Sequence, residues 1–414
     1  MGYSISMEKS TLIPHLFRTE YSKIVAVLCN KYGYAFLEEA EDIVSDTFLK
    51  ASSAWISGNP PNPAAWLYKV AQNKALDMFR RKKIFQEKVS PYIKEQSALP
   101  QDIDFSEEEI LDSQLKMMFV LCNNELPPEA QISLALKILG GFGIEEIAHA
   151  FLTSKDTINK RLYRAKQKIS SHPPDFELKS PQIQQGIESV LRIIYLLFNE
   201  GYFSFSQTQA IRQELCREAL RLGLLLTQNP LTNLPQVNAL VALMCYHASR
   251  LEARAQSLNE TTDFEEGHTQ PSNPELVQKG DEYMNRAAHG RVLSKYHLEA
   301  AIAYWHTQPE SEEKWERILQ LYNLLLQVEY SPMIALNRTY ALAKARSVDQ
   351  AIKEALKIKL ENNHLYFSLL AKLYESKSLK KSIEYLQKGL KLAKNEHDRV
   401  YYQKRINALK KEGS

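Results

Sequence analysis

Apolar residues along this chain recur at three- and four-residue intervals, and convincing period-two alternation is absent. The pattern predicts an all-α protein. Thr11–Tyr32 and Glu38–Trp55 read as the first two helices. The second opens on acids, which favour a helix N-terminus, and gathers Ile43, Val44, Thr47, Phe48 and Ala51 on one side. Gly58–Pro63 is a firm break, because proline cannot continue a helix. A third helix starts near Ala64, with Leu67, Ala71, Ala75 and Met78 as its apolar stripe. Lys69, Asn73, Asp77 and Arg80 lie opposite at the same period.

Glu87–Asp112 breaks the pattern. It holds Pro91, Pro100 and the acids Asp102, Asp104, Glu107, Glu108, Glu109 and Asp112, and reads as a partly extended linker that ends in a helix beginning near Ser106. Helical periodicity then resumes. Pro127 and Pro128 precede a helix that buries Ile132, Ala135, Leu136 and Leu139 and stops at Gly140-Gly141. Ile144–Phe151 is short, Thr153-Ser154 makes a turn with hydroxyls to cap the next helix, and Lys155–Ser170 buries Ile158, Leu162, Ala165 and Ile169. Ser171–Pro174 closes this module.

Past Ser180 the chain changes character. Gln182–Phe198, Thr208–Gln228 and Pro235–Ala255 read as long helices rich in Leu, Ala and Tyr, followed by a polar excursion over Ser257–Pro274. Pro274–Ala288, Leu293–His306 and Glu312–Val328 continue the helical pattern. Ala335–Ile352 and Tyr366–Ile383 align at an offset of 31, which places Leu336 on Phe367, Leu342 on Leu373, Val348 on Leu379 and Ile352 on Ile383. That is close to the period of tetratricopeptide helix pairs. The expected divisions are 1–86, a linker over 87–113, 114–174, a helical extension over 181–290 and a tetratricopeptide-like domain over 291–414.

Composition narrows the function class. With 414 residues and 44% hydrophobic content the chain is globular. Its net charge of +3 says little, but the distribution is informative. Lys69, Lys74, Arg80, Arg81, Lys82 and Lys83 face only Asp77 in the third helix; Lys155, Lys160, Arg161, Arg164, Lys166 and Lys168 face only Asp156 in the later one. Such clusters suit phosphate neutralisation, with solvated faces as the alternative. Cys29, Cys122, Cys216 and Cys245 have no metal-ligand spacing, so no metal is expected, and they read as small apolar residues of a reducing cytoplasm. No apolar run is long enough to span a bilayer and no signal core opens the chain, so the expected location is cytoplasmic, without membrane contact. The second half lacks nucleotide-binding, metalloprotease and nucleophile-elbow motifs, so no cofactor and no enzymatic activity are expected.

Leu126–Lys168, with helix, Gly-rich turn, short helix, polar turn and basic helix, has the pattern of a helix-turn-helix DNA reader. Together with Ala40–Trp55 (AEDIVSDTFLKASSAW) and Trp66–Lys83 (WLYKVAQNKALDMFRRKK) it resembles the bacterial sigma factors of the extracytoplasmic-function group. Ile194–Tyr202, Lys295–His306 and Ser331–Ala343 are similar to the large, tetratricopeptide-like helical extension of one subgroup. The resemblance implies a protein that binds core RNA polymerase, through the β′ clamp helices and the β flap, and directs initiation at promoter DNA. Asp42, Asp46, Thr47 and Phe48 match its polymerase-binding helix. Lys69, Asn73, Arg80 and Arg81 fall in the −10 segment; Ser154, Lys155, Thr157, Asn159, Lys160, Arg161 and Arg164 fall in the −35 reader. Trp55 and Trp66 suit either core packing or stacking on unpaired bases. The extension is expected to modulate activity and to suit a protein or peptide partner. A helix-turn-helix regulator with a ligand-sensing extension is the competing reading, and it leaves Ala40–Trp55 and Trp66–Lys83 unexplained. A repeat scaffold with an incidental basic helix is a second.

Overall fold

The computed structural model describes residues 9–56, 58–89, 103–123, 125–151, 153–171, 177–203, 209–251, 273–290, 293–393 and 396–412. Among them there is no strand; the chain forms helices in two compact units, Met1–Leu197 and Phe198–Ser414.

In the first unit, α1 (Lys9–Tyr32) is followed by a tight 3-10 turn, Tyr34–Phe36, and by α2 (Leu37–Ala54). Residues Ile43, Val44, Thr47, Phe48 and Ala51 of α2 are buried, as the spacing of apolar positions predicts. Helix α3 (Pro63–Val89) begins with proline at its first position, where no intrahelical N–H is needed. The Asn62 side chain accepts the amide of Ala65 at 3.0 Å, capping the exposed start. This helix runs past the expected linker boundary at Glu87; most of that linker, 90–102, lies outside the described residues.

Helix α4 (Glu107–Leu121) is where the structure adds most to the sequence reading. Its acidic first turn reads as linker, yet Leu115, Met117, Met118, Phe119, Val120 and Leu121 are all buried. Apolar residues on every side of a helix leave no amphipathic stripe to detect, and they require a helix enclosed by others. It packs on α1, where Gln114 donates to the Ser22 hydroxyl at 2.9 Å and Asn30 donates to Glu109 at 2.8 Å.

The helix-turn-helix follows. Helix α5 (Pro128–Leu134) passes into one π-helical turn, Ala135–Leu139. Gly141 then takes a left-handed backbone, φ 65°, which glycine alone adopts without strain. Short α6 (Ile144–Ala150) leads to α7 (Lys155–Ser171), whose buried positions are Ile158, Leu162, Ala165 and Ile169. Ser154 caps α7 by accepting the Thr157 amide at 3.2 Å.

The boundary between the units falls inside α8 (Ser180–Phe203), within the expected extension. Gly186 of this helix lies so close to Phe119 that a Cβ would come within 2.7 Å of the ring.

The second unit contains α9 (Gln209–Thr227), α10 (Pro235–Ala248), α11 (Pro274–Ala287), α12 (Lys295–Thr307) and α13 (Glu312–Val328). Helix α10 is buried continuously from Val237 to Tyr246 and packs on α9, α11 and α12. It ends at Ala248, seven residues before the expected Ala255, and most of the polar excursion over Ser257–Pro274 lies outside the described residues. Then come α14 (Pro332–Ala345), α15 (Val348–Ile358), α16 (His364–Glu375), α17 (Leu379–Leu392) and α18 (Glu396–Glu412). The pairs α14/α15 and α16/α17 are the two repeat copies. Ser347 and Ser378, 31 residues apart, cap the second helix of each pair by accepting the amides of Gln350 and Lys381. A single cluster including Leu336, Leu342, Ile352, Phe367 and Leu373 joins the copies. Among the described residues no helix is long and apolar enough to cross a membrane, and no three His, Cys, Asp or Glu side chains form a group able to hold a metal.

All four cysteines are buried, and burial pushes the Cys122 and Cys245 thiols up to about 12. Only a thiolate is nucleophilic, so the folded chain should leave all four unlabelled by a disulfide-exchange reagent at pH 8 and react at four positions after denaturation. Rapid labelling of the native chain would contradict this packing.

Candidate nucleic-acid interface

The first basic face lies on α3. Lys69, Asn73, Arg80 and Arg81 are all exposed. Lys69 donates to Gln72 at 2.9 Å and Arg80 stands 3.7 Å from Asp77, so both are held loosely at the surface. The side chains of Lys82 and Lys83 lie outside the described residues. Lys74, in contrast, turns toward α2 and pairs with Asp46 at 3.0 Å.

The four expected polymerase-binding residues divide. Asp42 and Asp46 are exposed. Thr47 and Phe48 are interior, where the Thr47 hydroxyl donates to the Ile43 carbonyl at 2.7 Å and the Phe48 ring lies 5.0 Å from Phe17. Both sit on the apolar side of α2 and hold the helix in place. The exposed side of α2 also carries Leu49, 67% exposed, three residues after Asp46, and Ile56, 79% exposed, follows the end of the helix. Sequence reading missed this pair, although Leu49 falls out of phase with the buried stripe and so was detectable. Trp55 is buried and meets half-buried Trp66 edge-on at 5.2 Å, which gives Trp55 a core role beside the Gly58–Pro63 loop.

The second basic face lies on α7. Lys155, Thr157, Asn159, Lys160 and Arg164 are exposed. Ser154 is exposed as well, but its hydroxyl is occupied in capping and lies 2.9 Å from the Thr157 hydroxyl. Lys155 pairs with Glu145. Arg161 is half-buried, donates to the Ser133 hydroxyl at 3.4 Å and sits 6.0 Å from the Phe151 ring, so it braces α7 against α5. Tyr163, 61% exposed, shares the open side of α7 with Lys160 and Arg164. It also escaped the sequence reading, although it follows Lys160 by three residues on one face.

Both faces belong to one unit because the helix-turn-helix is docked on the α1–α2 bundle. Glu41, buried on α2, accepts the Tyr21 hydroxyl at 2.9 Å and pairs with Lys166 of α7. Arg18 of α1 bonds Glu146 of α6 at 2.5 Å and lies 4.2 Å over the Phe142 ring. Lys137 packs 5.6 Å from the Tyr21 ring, and burial lowers its pKa. At Gly141 the backbone runs against α1, within 3.6 Å of the Phe17 carbonyl for a Cβ built there. The docking consumes Lys166 and leaves the Lys160–Arg164 side open.

Comparison with known proteins identifies three segments. Residues 16–84 match sigma-70 region 2, residues 116–169 match sigma-70 region 4, and residues 186–288 match a family of unknown function, DUF6596. An uncharacterized protein of Rhizobium meliloti is 30% identical over 397 residues, 90% of each chain. The ECF RNA polymerase sigma factor SigE of Mycolicibacterium smegmatis is 25% identical over 134 residues, 32% of this chain and 51% of that one. The ECF RNA polymerase sigma-E factor of Haemophilus influenzae is 26% identical over 165 residues, 38% of this chain and 85% of that one. No solved structure matches the chain.

The docking contact has a measurable consequence. Removing one partner of a buried pair strands a charge in a poorly solvated place, so Lys166→Met should cost about 3 kcal/mol in the stability of the first unit. Adding Glu41→Gln should recover part of that loss in a double-mutant cycle followed by denaturant unfolding. Strictly additive effects would contradict the pairing.

Proposed function

The chain belongs to the sigma-70 family, in the extracytoplasmic-function group with a large helical extension; it directs promoter recognition and transcription initiation, and on that basis we propose how its residues divide the work. The observation that carries the proposal is that each sigma-matched segment presents an open basic face, one on α3 and one on α7.

Region 2 takes the −10 element. Lys69, Asn73, Arg80 and Arg81 hold the DNA backbone beside it, and the Gly58–Pro63 loop receives a base turned out of the opening duplex. Region 4 takes the −35 element, with α7 in the major groove. Thr157, Asn159, Lys160, Tyr163 and Arg164 face the DNA, while Ser154, Lys155 and Arg161 shape the start and base of that helix. Asp42 and Asp46, with Leu49 on the same side of α2, form the surface for the β′ clamp helices of core polymerase, and region 4 meets the β flap. Each DNA face binds weakly by itself; polymerase fixes their spacing, and linked weak contacts act as one strong contact. The chain positions the polymerase in the cytoplasm and makes no bonds of its own. Residues 198–414 modulate that activity.

Arg164 is exposed and makes no core contact, so Arg164→Ala spares the fold. Run-off transcription with core polymerase from a −35-dependent promoter should fall about tenfold, with a shallower salt dependence. Unchanged yield would remove α7 from the groove. Because α8 belongs to both units, the extension is best tested by comparing the full chain with residues 1–203; equal yields would contradict modulation.

A further inference from the structure

The charge of this chain is unevenly divided. Residues 331–414 hold 18 Lys and Arg against 8 Asp and Glu, a net +10, whereas the whole chain carries only +3. The other 330 residues are therefore net negative, at −7, even though they include both sigma-matched segments. A fold has no need of such an excess, and concentrated charge of one sign costs self-repulsion unless a partner relieves it.

Four of these cations share one helix face. On α17, Lys380, Lys381, Lys388 and Lys391 are all exposed, and none makes an ion pair among the described residues. Glu384 is the single acid of that helix. The opposite side, with Ser382, Leu386 and Gly389, is buried. Gly389 lies against Tyr402, where a Cβ would come within 2.6 Å of the ring, so α17 is fixed to α18 and its lysine side is held outward.

Aromatic rings underlie the lysines. Tyr374 lies 5.5 Å from Tyr385, and Tyr385 lies 6.3 Å from Phe367. The Lys381 ammonium sits 5.0 Å from the Tyr374 ring and that of Lys388 sits 5.3 Å from the Tyr385 ring. These rings steer flexible side chains into a row and reduce what ordering them costs on binding. Lys381 and Lys388 are two helical turns apart, roughly 10 Å, which matches about three phosphate steps along one strand of a duplex.

We propose that the lysine face of α17 in the tetratricopeptide-like domain binds the phosphate backbone of duplex DNA without reading its sequence. The four cations are all lysines, which meet phosphate as point charges and lack the planar arginine fork that reads base edges, as binding without sequence readout requires. Two features favour DNA over an acidic protein. None of the large exposed apolar residues of the chain lies on α17, so the face lacks the apolar anchor that protein interfaces are built around. The same polypeptide carries sigma regions 2 and 4, which bring DNA to it at high local concentration.

The test uses the full chain and a labelled duplex without promoter elements, in the absence of polymerase. Replacing Lys380, Lys381, Lys388 and Lys391 by Gln should weaken binding at least tenfold at low salt. It should also lower the slope of log affinity against log salt by about 3 to 4, since each lost phosphate contact removes about 0.9. The corresponding four Lys→Arg changes keep the charge and should retain both affinity and slope. Unfolding midpoints of the three proteins should agree, because all four positions are on the surface. Equal affinity and slope for the wild type and the Gln variant would overturn the proposal. So would a polyglutamate chain, or vesicles rich in anionic lipid, that bound the wild type in preference to the duplex through these lysines.

Discussion

The buried carboxylate of Glu41 is the constraint on which the first unit depends. A carboxylate that is largely removed from water must be paired, and here its partners come from two different helices: the Tyr21 hydroxyl from α1 and the Lys166 ammonium from α7. One charge thereby ties the region 2 bundle to the helix-turn-helix. Arg18, reaching from α1 to Glu146 and Phe142, adds a second tie, and the left-handed turn at Gly141 lets the backbones approach. Because the docking uses the flank of α7, Thr157, Asn159, Lys160, Tyr163 and Arg164 remain in solvent. The protein can therefore be well packed and still present both basic faces.

This arrangement suits a protein whose affinity is assembled by a larger partner. Lysine and arginine contacts to phosphate are individually weak and easily screened, so neither face needs to hold DNA alone. In the proposed reading, specificity comes from requiring both faces at a fixed separation, which polymerase supplies. The side of α2 that presents Asp42, Asp46 and Leu49 combines charge with exposed apolar area, whereas the large exposed side chains of α3 and α7 are polar apart from Tyr163.

Much of this was legible in the sequence, and the misses have physical reasons. Amphipathic helices announce themselves, so the expected buried residues of α2 and α7 follow from spacing alone, as do Leu67, Ala71 and Ala75 of α3. Met78, in contrast, is half-buried, and Val70 and Gln72 are buried beside the stripe. The 31-residue offset reappears as the paired caps Ser347 and Ser378. The start of α4 near Ser106 was legible, but not its enclosed second half, because residues buried on all sides leave no stripe. Among candidate site residues, matching a motif does not separate contact from support: Thr47 and Phe48 turn inward, while Ser154 and Arg161 are engaged within the module. Pair contacts across the fold, such as Glu41 with Lys166, have no local signature, since 125 positions separate two ordinary charged residues.

In the proposed reading, α3 and α7 act on one promoter at two separated places, with the distance between them set by polymerase. Photo-crosslinking from positions 73 and 164 to a promoter fragment, with and without core polymerase, distinguishes this from a single DNA contact. The expected result is two discrete crosslinks, position 73 near −10 and position 164 near −35, both strong only when core polymerase is present. Crosslinks from both positions to the same base pairs, or a pattern indifferent to polymerase, would contradict it.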